Sequence, residues 1–133
     1  MLQNLAVEPI LPVPVTLPAS ASSAGVARHL LRQSLSSHLR QDMLDDVVFM
    51  ASELVTNAVV HARTRCELAV YIPADGLLRV AVSDCEMTQP TVADVGVSDE
   101  QGRGLRLVNA LAAQWGVEFT PALGKTVWFE VAV

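Results

Sequence analysis

A long apolar segment from about Asp42 to Ala62 constrains the fold more than any other part of the chain. At about 100° per residue it predicts a helix that is apolar around most of its circumference. One side of that helix carries Val47, Met50, Ala51, Leu54, Ala58 and His61. Because a helix of this kind normally lies inside a domain, we expect it to be central to the core. Its few polar residues then need partners.

Glu53 and Asn57 are two of those polar residues, and their spacing of four places them one turn apart on the same side of the helix. One interpretation is structural: Glu53 pairs with an arginine and Asn57 bonds to backbone. The other is a cation and nucleotide site, in which the Asn57 amide oxygen binds Mg²⁺ and Glu53 accepts a proton from an attacking hydroxyl group or water. The pair does not decide between them, because a nucleotide site also needs a place for phosphates.

Charge and cysteine content exclude several classes of function. The formal net charge is -5 with no basic cluster, which disfavours non-specific nucleic-acid binding and binding to an anionic membrane surface. Four prolines break up the apolar N-terminus, so no run approaches the ~20 residues of a membrane span. Cys66 and Cys85 form no CxxC pattern and the first residues lack the features of a signal peptide, so we expect a cytoplasmic protein.

The order of predicted elements indicates the fold class. Helices are predicted at 24–40, 42–62 and 102–116, and strands at 66–72, 77–84, 117–119 and 126–133, with an Asp75-Gly76 hairpin turn between the first two strands. This order predicts an α+β two-layer sandwich, in which a mainly antiparallel mixed sheet carries helices on one face. Residues 1–19 form a proline-rich segment with at best an edge strand at 13–17, and residues 20–133 form the main domain.

Two further stretches could contribute to a nucleotide site. Residues 85–101 lack periodicity, and loops beyond ~12 to 15 residues in a compact domain are often lids. Gly102-Arg103-Gly104-Leu105 follows at a helix N-terminus, where free N–H groups favour an anion; the alternative is a flexible helix entry. Asp84, at a strand end, could accept a hydrogen bond from the amino group of a purine, or could be a turn residue.

Together these residues resemble the motifs of the GHKL ATPases, the family of histidine kinases, Hsp90, gyrase B and MutL. Residues 53–62 resemble its N-box, Asp84 with Pro90 its first glycine box, residues 102–105 its second, and residues 124–130 its closing strand. Over about residues 20–133 the chain is similar to the small single-domain branch of anti-sigma-factor serine/threonine kinases. The resemblance implies a Bergerat-type ATP-binding fold.

The resemblance also implies roles for individual residues. Glu53 would be the general base and Asn57 the Mg²⁺ ligand. Asp84 would recognise adenine, helped by Thr126 through its hydroxyl and a water. The phosphates of ATP would be held by Gly102, Arg103, Gly104 and Leu105, with Arg103 as a charge partner of the terminal one.

The activity implied is that of an ATP- and Mg²⁺-dependent protein serine/threonine kinase, a transferase that moves the γ-phosphate of ATP to a small antagonist protein. A sigma factor or similar regulator would be the second partner, in regulation of transcription by partner switching. Neither nucleic acid nor membrane would be bound directly. A homodimer is compatible with the resemblance and with the apolar composition.

The first glycine box departs from the family pattern. It usually reads Asp-x-Gly-x-Gly, whereas Glu86 and Thr88 occupy the glycine positions here. The backbone then turns less freely, and Glu86 brings negative charge towards an anionic ligand. We therefore expect weakened nucleotide binding. The alternative function is a non-catalytic partner-binding module that keeps the fold but has weakened or lost nucleotide binding.

Overall fold

The protein has the predicted α+β architecture, with helices packed on one face of a six-stranded sheet. This computed structural model describes residues 7–9, 14–73, 76–85, 106–120 and 124–132. Buried residues of the helices and of the sheet form a single hydrophobic core. Every strand pairing within the described residues is antiparallel, so the predicted antiparallel character is confirmed.

The strands follow the order β1-β3-β4-β6-β5, and β2 also pairs with β3. Their bounds are β1 Val7–Pro9, β2 Val15–Leu17, β3 Cys66–Pro73, β4 Leu77–Asp84, β5 Gln114–Thr120 and β6 Gly124–Ala132. The predicted hairpin joins β3 to β4, and Gly76 in its turn has φ +83°, a conformation that favours glycine. On its other side β4 pairs with β6, although these two strands are far apart in sequence.

Both short N-terminal strands pair with β3. The stretch predicted to form at best an edge strand contains β2, which pairs with residues 66–68. Strand β1 was not predicted, because Val7–Pro9 is too short and too close to prolines to show a period of two. It pairs with residues 71–73 at the other end of β3, so the proline-rich segment joins the sheet of the main domain.

The helices precede and follow the central hairpin. Their bounds are α1 Ser23–Leu35, α2 Gln41–Thr56, a π-helical turn at Asn57–His61, and α3 at residues 106–111, whose start lies outside the described residues. Helix α1 ends five residues before its predicted end at Arg40, where residues 36–38 form a turn instead. Serine competes for backbone hydrogen bonds, and Ser36 and Ser37 stand at this point.

Helix α2 is the central helix of the core, as predicted. Its buried residues include the predicted Val47, Met50, Ala51 and Leu54, and the π-helical turn adds Ala58. His61 is only partly buried. The prediction that this helix is covered nearly all round is wrong on one side, where Phe49 is 53% exposed.

The third helix is shorter than predicted, because Trp115 and Gly116 belong to β5 rather than to the helix end. The backbone N–H of Ala113 donates to the oxygen of Glu130, which begins the pairing of this segment with β6. At Gly116 a β-carbon would fall 2.8 Å from the ring of Trp128, so the glycine is needed for packing and not as a helix cap. Pairing with β6 has overridden the local helical pattern.

Alternation along the central strands separates the two faces of the sheet. In β4, Leu78, Val80 and Val82 are buried in the core. In β6, Val127 and Phe129 are also in the core, where they pair with Val82 and Val80. The intervening residues point to the face without helices. This alternation decides on which face each candidate site residue lies.

Candidate nucleotide site

The end of α2 carries the first two candidate residues. Glu53 lies in its last turn, and the backbone N–H of Asn57 donates to the oxygens of both Glu53 and Leu54. The N–H of Ala62 then donates to the Asn57 oxygen at 2.9 Å, which closes a π-helical turn. Single π-helical turns within α-helices occur frequently at functional sites. Asn57 itself keeps α-helical angles, so it stays on the same side as Glu53.

Among the described residues, neither side chain has the partner that the structural interpretation requires. Glu53 and Asn57 are both partly exposed. In the described part of the chain, the Glu53 carboxylate forms no ion pair or hydrogen bond, and the Asn57 amide group forms no hydrogen bond. A carboxylate and an amide oxygen are therefore presented side by side at the end of a rigid, buried helix. This arrangement suits a general base next to a ligand for a hard cation.

Asp84 is the last residue of β4 and lies on the helix-bearing face of the sheet. In the strand register it stands opposite Lys125 of β6, and the Lys125 Nζ lies 2.8 Å from the Asp84 Oδ2. The Asp84 side chain is only 4% exposed and the Lys125 side chain 14%. Sequence reasoning missed Lys125, since its sole signal was its place after Gly124 in the closing-strand motif. The ion pair became visible only with the strand register.

Thr126 lies on the opposite face of the sheet from Asp84. It pairs with Ser83, and the two hydroxyl oxygens are 2.7 Å apart. Adjacent residues of a strand point to opposite faces, so Lys125 and Thr126 cannot both face the helices. The structure thus brings Lys125, and not Thr126, to the carboxylate that was predicted to recognise adenine.

Thr64 joins the turn that carries Asn57 to the segment that follows Asp84. Its backbone N–H donates to the oxygen of Ala58 at 3.1 Å, and its hydroxyl oxygen accepts a hydrogen bond from the N–H of Cys85 at 3.3 Å. The preceding Arg63 has φ +61°, an uncommon conformation for a residue other than glycine. The two halves of the candidate site are thereby connected through one residue that the sequence did not single out.

The surroundings of Asp84 are shielded from water. Cys66 stands opposite Asp84 in the β3–β4 register and is fully buried. Burial raises the pKa of the Cys66 thiol from 9.0 to about 11, and the negative charge of Asp84 contributes to this rise in pKa. An ionic partner for Asp84 is therefore strongly favoured here, which Lys125 supplies.

A sequence model of the family described as Histidine kinase-like ATPase domain matches residues 17–131. The chain belongs to this family. The match spans the N-box residues, Asp84 and the closing strand together, so the architecture above is that of a histidine kinase-like ATPase domain.

One protein and two solved structures illustrate what this ATPase domain is similar to. An uncharacterized protein of Streptomyces coelicolor is 35% identical over 71 residues, which are 50% of this chain and 68% of that protein. The crystal structure of the RsbU and RsbW domains of a Mycobacterium tuberculosis protein superposes with a TM-score of 0.70 at 24% identity. The histidine kinase domain of a blue-light activated histidine kinase from Erythrobacter litoralis gives 0.56 at 17% identity.

The two structural likenesses cover most of this ATPase domain but less of the other chains. They extend over 92% and 86% of this chain, and over 32% and 61% of the Mycobacterium and Erythrobacter chains respectively. At these identities they show a shared fold. Membership of the family implies binding of ATP.

Several predicted residues of the ATPase domain lie outside the described residues. These are the second glycine box, Gly102, Arg103, Gly104 and Leu105, and the altered first box with Glu86, Thr88 and Pro90. Helix α3, which follows the second box, is described, and its Val108 is buried in the core. The roles predicted for the glycine boxes stay predictions.

The described residues fit a cation held in part by a nucleotide. Among them, no group of three His, Cys, Asp or Glu side chains could hold a metal ion. Mg²⁺ commonly takes one or two protein ligands together with phosphate oxygens and water, so a single amide oxygen at Asn57 is compatible with that pattern. In the same described residues, every helix is too short or too polar to cross a membrane.

Proposed function

We propose that this chain is an ATP- and Mg²⁺-dependent protein serine/threonine kinase of the anti-sigma-factor type. It transfers the γ-phosphate of ATP to a small antagonist protein. The observation that carries the proposal is the position of Glu53 and Asn57, which lie one turn apart at the end of α2. In the described part of the chain, neither side chain has a partner. Thr64 connects their turn to the buried carboxylate of Asp84.

The proposed reaction needs one base and a set of positioned charges. The Glu53 carboxylate accepts the proton of a seryl or threonyl hydroxyl on the antagonist protein. The hydroxyl oxygen forms a bond to the γ-phosphorus while the bond from that phosphorus to the β,γ-bridging oxygen breaks, and ADP leaves with the electron pair. In phosphoryl transfer the protein mainly positions groups and stabilises charge, so the base acts together with a metal ligand and residues that hold the phosphates.

The other roles in the proposal follow from the same arrangement. Asn57 is the ligand for Mg²⁺, which when bound neutralises charge on the phosphates. Asp84 accepts a hydrogen bond from the amino group of adenine, and residues 102–105 hold the phosphates, with Arg103 facing the terminal one. Thr126 contributes less than the resemblance implies, because its hydroxyl is bonded to Ser83 on the other face.

The proposed partners are proteins. A small antagonist protein is the phosphate acceptor. A sigma factor or similar regulator is the second protein that this chain binds, in partner switching. The Mycobacterium structure of RsbU and RsbW domains supports this context, since it shares its fold with 92% of this chain. The net charge of -5 suits protein partners in preference to nucleic acid.

Thermal unfolding with and without ATP and Mg²⁺ tests the nucleotide site. Ligand at about one hundred times its dissociation constant stabilises the native state by ~2.7 kcal/mol, a rise of several degrees in Tm for a domain of this size. The rise should be smaller for Asn57→Ala. Absence of a rise in the wild type would contradict nucleotide binding and hence the kinase proposal.

Phosphoproteomics of cells that carry Glu53→Gln tests the transfer step. A phosphoserine or phosphothreonine on a small protein should be present with the wild type and lost with Glu53→Gln. Glu67→Gln is the matched control, because Glu67 is an exposed glutamate of β3 on the face without helices. If no phosphorylation depends on Glu53 although the variant still binds ATP, the chain is not a kinase.

A non-catalytic partner-binding module is the second candidate function. Glu86 and Thr88 at the two glycine positions of the first box favour it, because they weaken a nucleotide site. Glu53 and Asn57 count against it: they have no side-chain partner in the described part of the chain, and a scaffold has no chemical need for them. The two candidates differ in the thermal test: the module shows no rise in Tm with ATP and keeps its protein partner when Asn57 is replaced by alanine.

A further inference from the structure

We propose that Lys125 and Asp84 act together as a two-point recognition site for the adenine base. The Asp84 carboxylate accepts a hydrogen bond from the exocyclic amino group, and the Lys125 ammonium group donates one to the neighbouring ring nitrogen, N1. This inference rests on the proposed ATP site and assigns to Lys125 the second contact that the family resemblance assigned to Thr126.

The strand register places the two side chains as a unit. Lys125 and Asp84 are directly opposed residues of β6 and β4, on the face of the sheet that packs against α2. Their charged atoms lie 2.8 Å apart, and both side chains are largely withdrawn from water. Thr126 points to the opposite face and its hydroxyl is bonded to Ser83. Of these two residues of β6, Lys125 is therefore the one that can reach a base held at Asp84.

The backbone at Gly124 holds this pair together. Gly124 has φ +122°, and its α-carbon lies so close to the end of β4 that a β-carbon would fall 1.9 Å from the backbone oxygen of Asp84. The start of β6 is thereby drawn against the end of β4, and Lys125 is the next residue. An ammonium group held in this way loses little further side-chain entropy when a ligand binds.

The chemistry of the pair matches the edge of adenine. A carboxylate only accepts hydrogen bonds, whereas an ammonium group has three donors, of which the contact with Asp84 uses one. Adenine presents a donor, the amino group, beside an acceptor, N1, on its Watson–Crick edge. An acceptor and a donor 2.8 Å apart can therefore engage both groups at once. The ion pair needs no rupture, so neither buried charge is left uncompensated on binding.

Calorimetric titration with ATP and with 1-deaza-ATP, in which carbon replaces N1, tests the assignment. Both nucleotides are used with Mg²⁺. The wild type should bind ATP at least about tenfold more tightly than 1-deaza-ATP, because a hydrogen bond from a charged donor is lost with the analogue. Lys125→Met should bind the two nucleotides equally, at the weaker level. Lys125→Arg, which keeps a charged donor, should retain a preference for ATP.

Removal of the ammonium group takes the Lys125 charge away from the buried Asp84 carboxylate, so Lys125→Met could unfold. The double variant Lys125→Met with Asp84→Asn removes both charges and keeps the shape of the site. In this double variant the preference for ATP over 1-deaza-ATP should also be lost, while the circular dichroism spectrum of the wild type is retained.

Three results would overturn the inference, and the first two would leave the kinase proposal intact. Tighter binding of ATP by Lys125→Met would mean that the ammonium group competes with the base. If Lys125→Met weakened the binding of ATP and of 1-deaza-ATP by the same factor, the ion pair would have only a structural role. Tighter binding of GTP than of ATP by the wild type would mean that the pair binds guanine in preference to adenine. If the wild type binds no nucleotide, the proposed function itself fails.

Discussion

Gly124 lies so close to the end of β4 that a β-carbon on it would fall 1.9 Å from the backbone oxygen of Asp84. The φ of Gly124 is +122°, which side chains rarely tolerate. These two facts make Gly124 the residue that sets the distance between the first residues of β6 and the last residues of β4. The Asp84–Lys125 ion pair forms immediately beside this contact.

Gly124→Ala should therefore destabilise the fold by more than about 3 kcal/mol, because the strain in φ and a backbone clash add together. Gly76→Ala is the matched control: its φ is +83°, but nothing lies within 4 Å of the added carbon, so a cost of about 1 kcal/mol is expected. Urea unfolding of both variants measures the difference. Equal costs would show that the contact with Asp84 relaxes easily.

Two ion pairs of nearly equal length should differ in their effect on stability. Arg79 Nε lies 2.8 Å from Glu130 Oε2, and the Glu130 side chain is 6% exposed and also accepts a hydrogen bond from Gln114. Arg32 Nη1 lies 2.9 Å from Asp45 Oδ1, with both side chains about half exposed. Arg79→Met should cost about 2 kcal/mol, since it leaves a buried carboxylate without its ionic partner.

Arg32→Met is the control for that experiment and should cost less than about 1 kcal/mol, because water solvates the Asp45 that remains. Chemical unfolding at low and high salt measures both effects. Arg79 also lies over the ring of Trp128, 4.2 Å from its centroid, so Arg79→Lys should recover part of the loss. Equal costs for the two methionine variants would contradict the role of burial.

Gly116→Ala should destabilise the protein by about 1 to 3 kcal/mol through overpacking against Trp128. The added carbon would fall 2.8 Å from the indole ring. Trp128→Leu creates space at this position, so the alanine should cost less in the Trp128→Leu background. A double-mutant cycle by urea unfolding gives the coupling energy, and a coupling near zero would contradict direct contact as the cause.

Stability should fall in alkaline solution through Cys66. Its pKa in the folded state is about 11, above the value of 9.0 without the fold, so the folded state holds the thiol proton more tightly. The stabilisation is complete below pH 9 and is lost as the pH rises towards 11. Free energies of unfolding measured from pH 8 to 11 should decline more steeply for the wild type than for Cys66→Ala.

The Asp84 charge is the smaller of the two causes of that shift, after burial. In a Cys85→Ser background, which leaves one thiol, ultraviolet titration of the thiolate reports Cys66 alone. Asp84→Asn should lower the pKa of Cys66 and still leave it above 9.0, because burial remains. A pKa unaffected by Asp84→Asn would mean that the two groups do not interact.

Local patterns predicted much of this protein. The helical period placed Met50, Ala51 and Leu54 in the core, and the spacing of four put Glu53 and Asn57 on one side of one helix. Alternating strands around Asp75-Gly76 predicted the β3–β4 hairpin. Each of these features depends on residues within about two helical turns or one hairpin, so their physical basis is present in the sequence itself.

The rest depended on pairing between distant segments. The local pattern of Trp115 and Gly116 predicted a helix end, but these residues pair with β6 and form a strand. Val7–Pro9 forms a strand only because β3 supplies its backbone partners. The partner of Asp84 lies 41 residues further along the chain. A shift of one residue in register reverses which face a side chain occupies, so only the tertiary structure could choose Lys125 over Thr126.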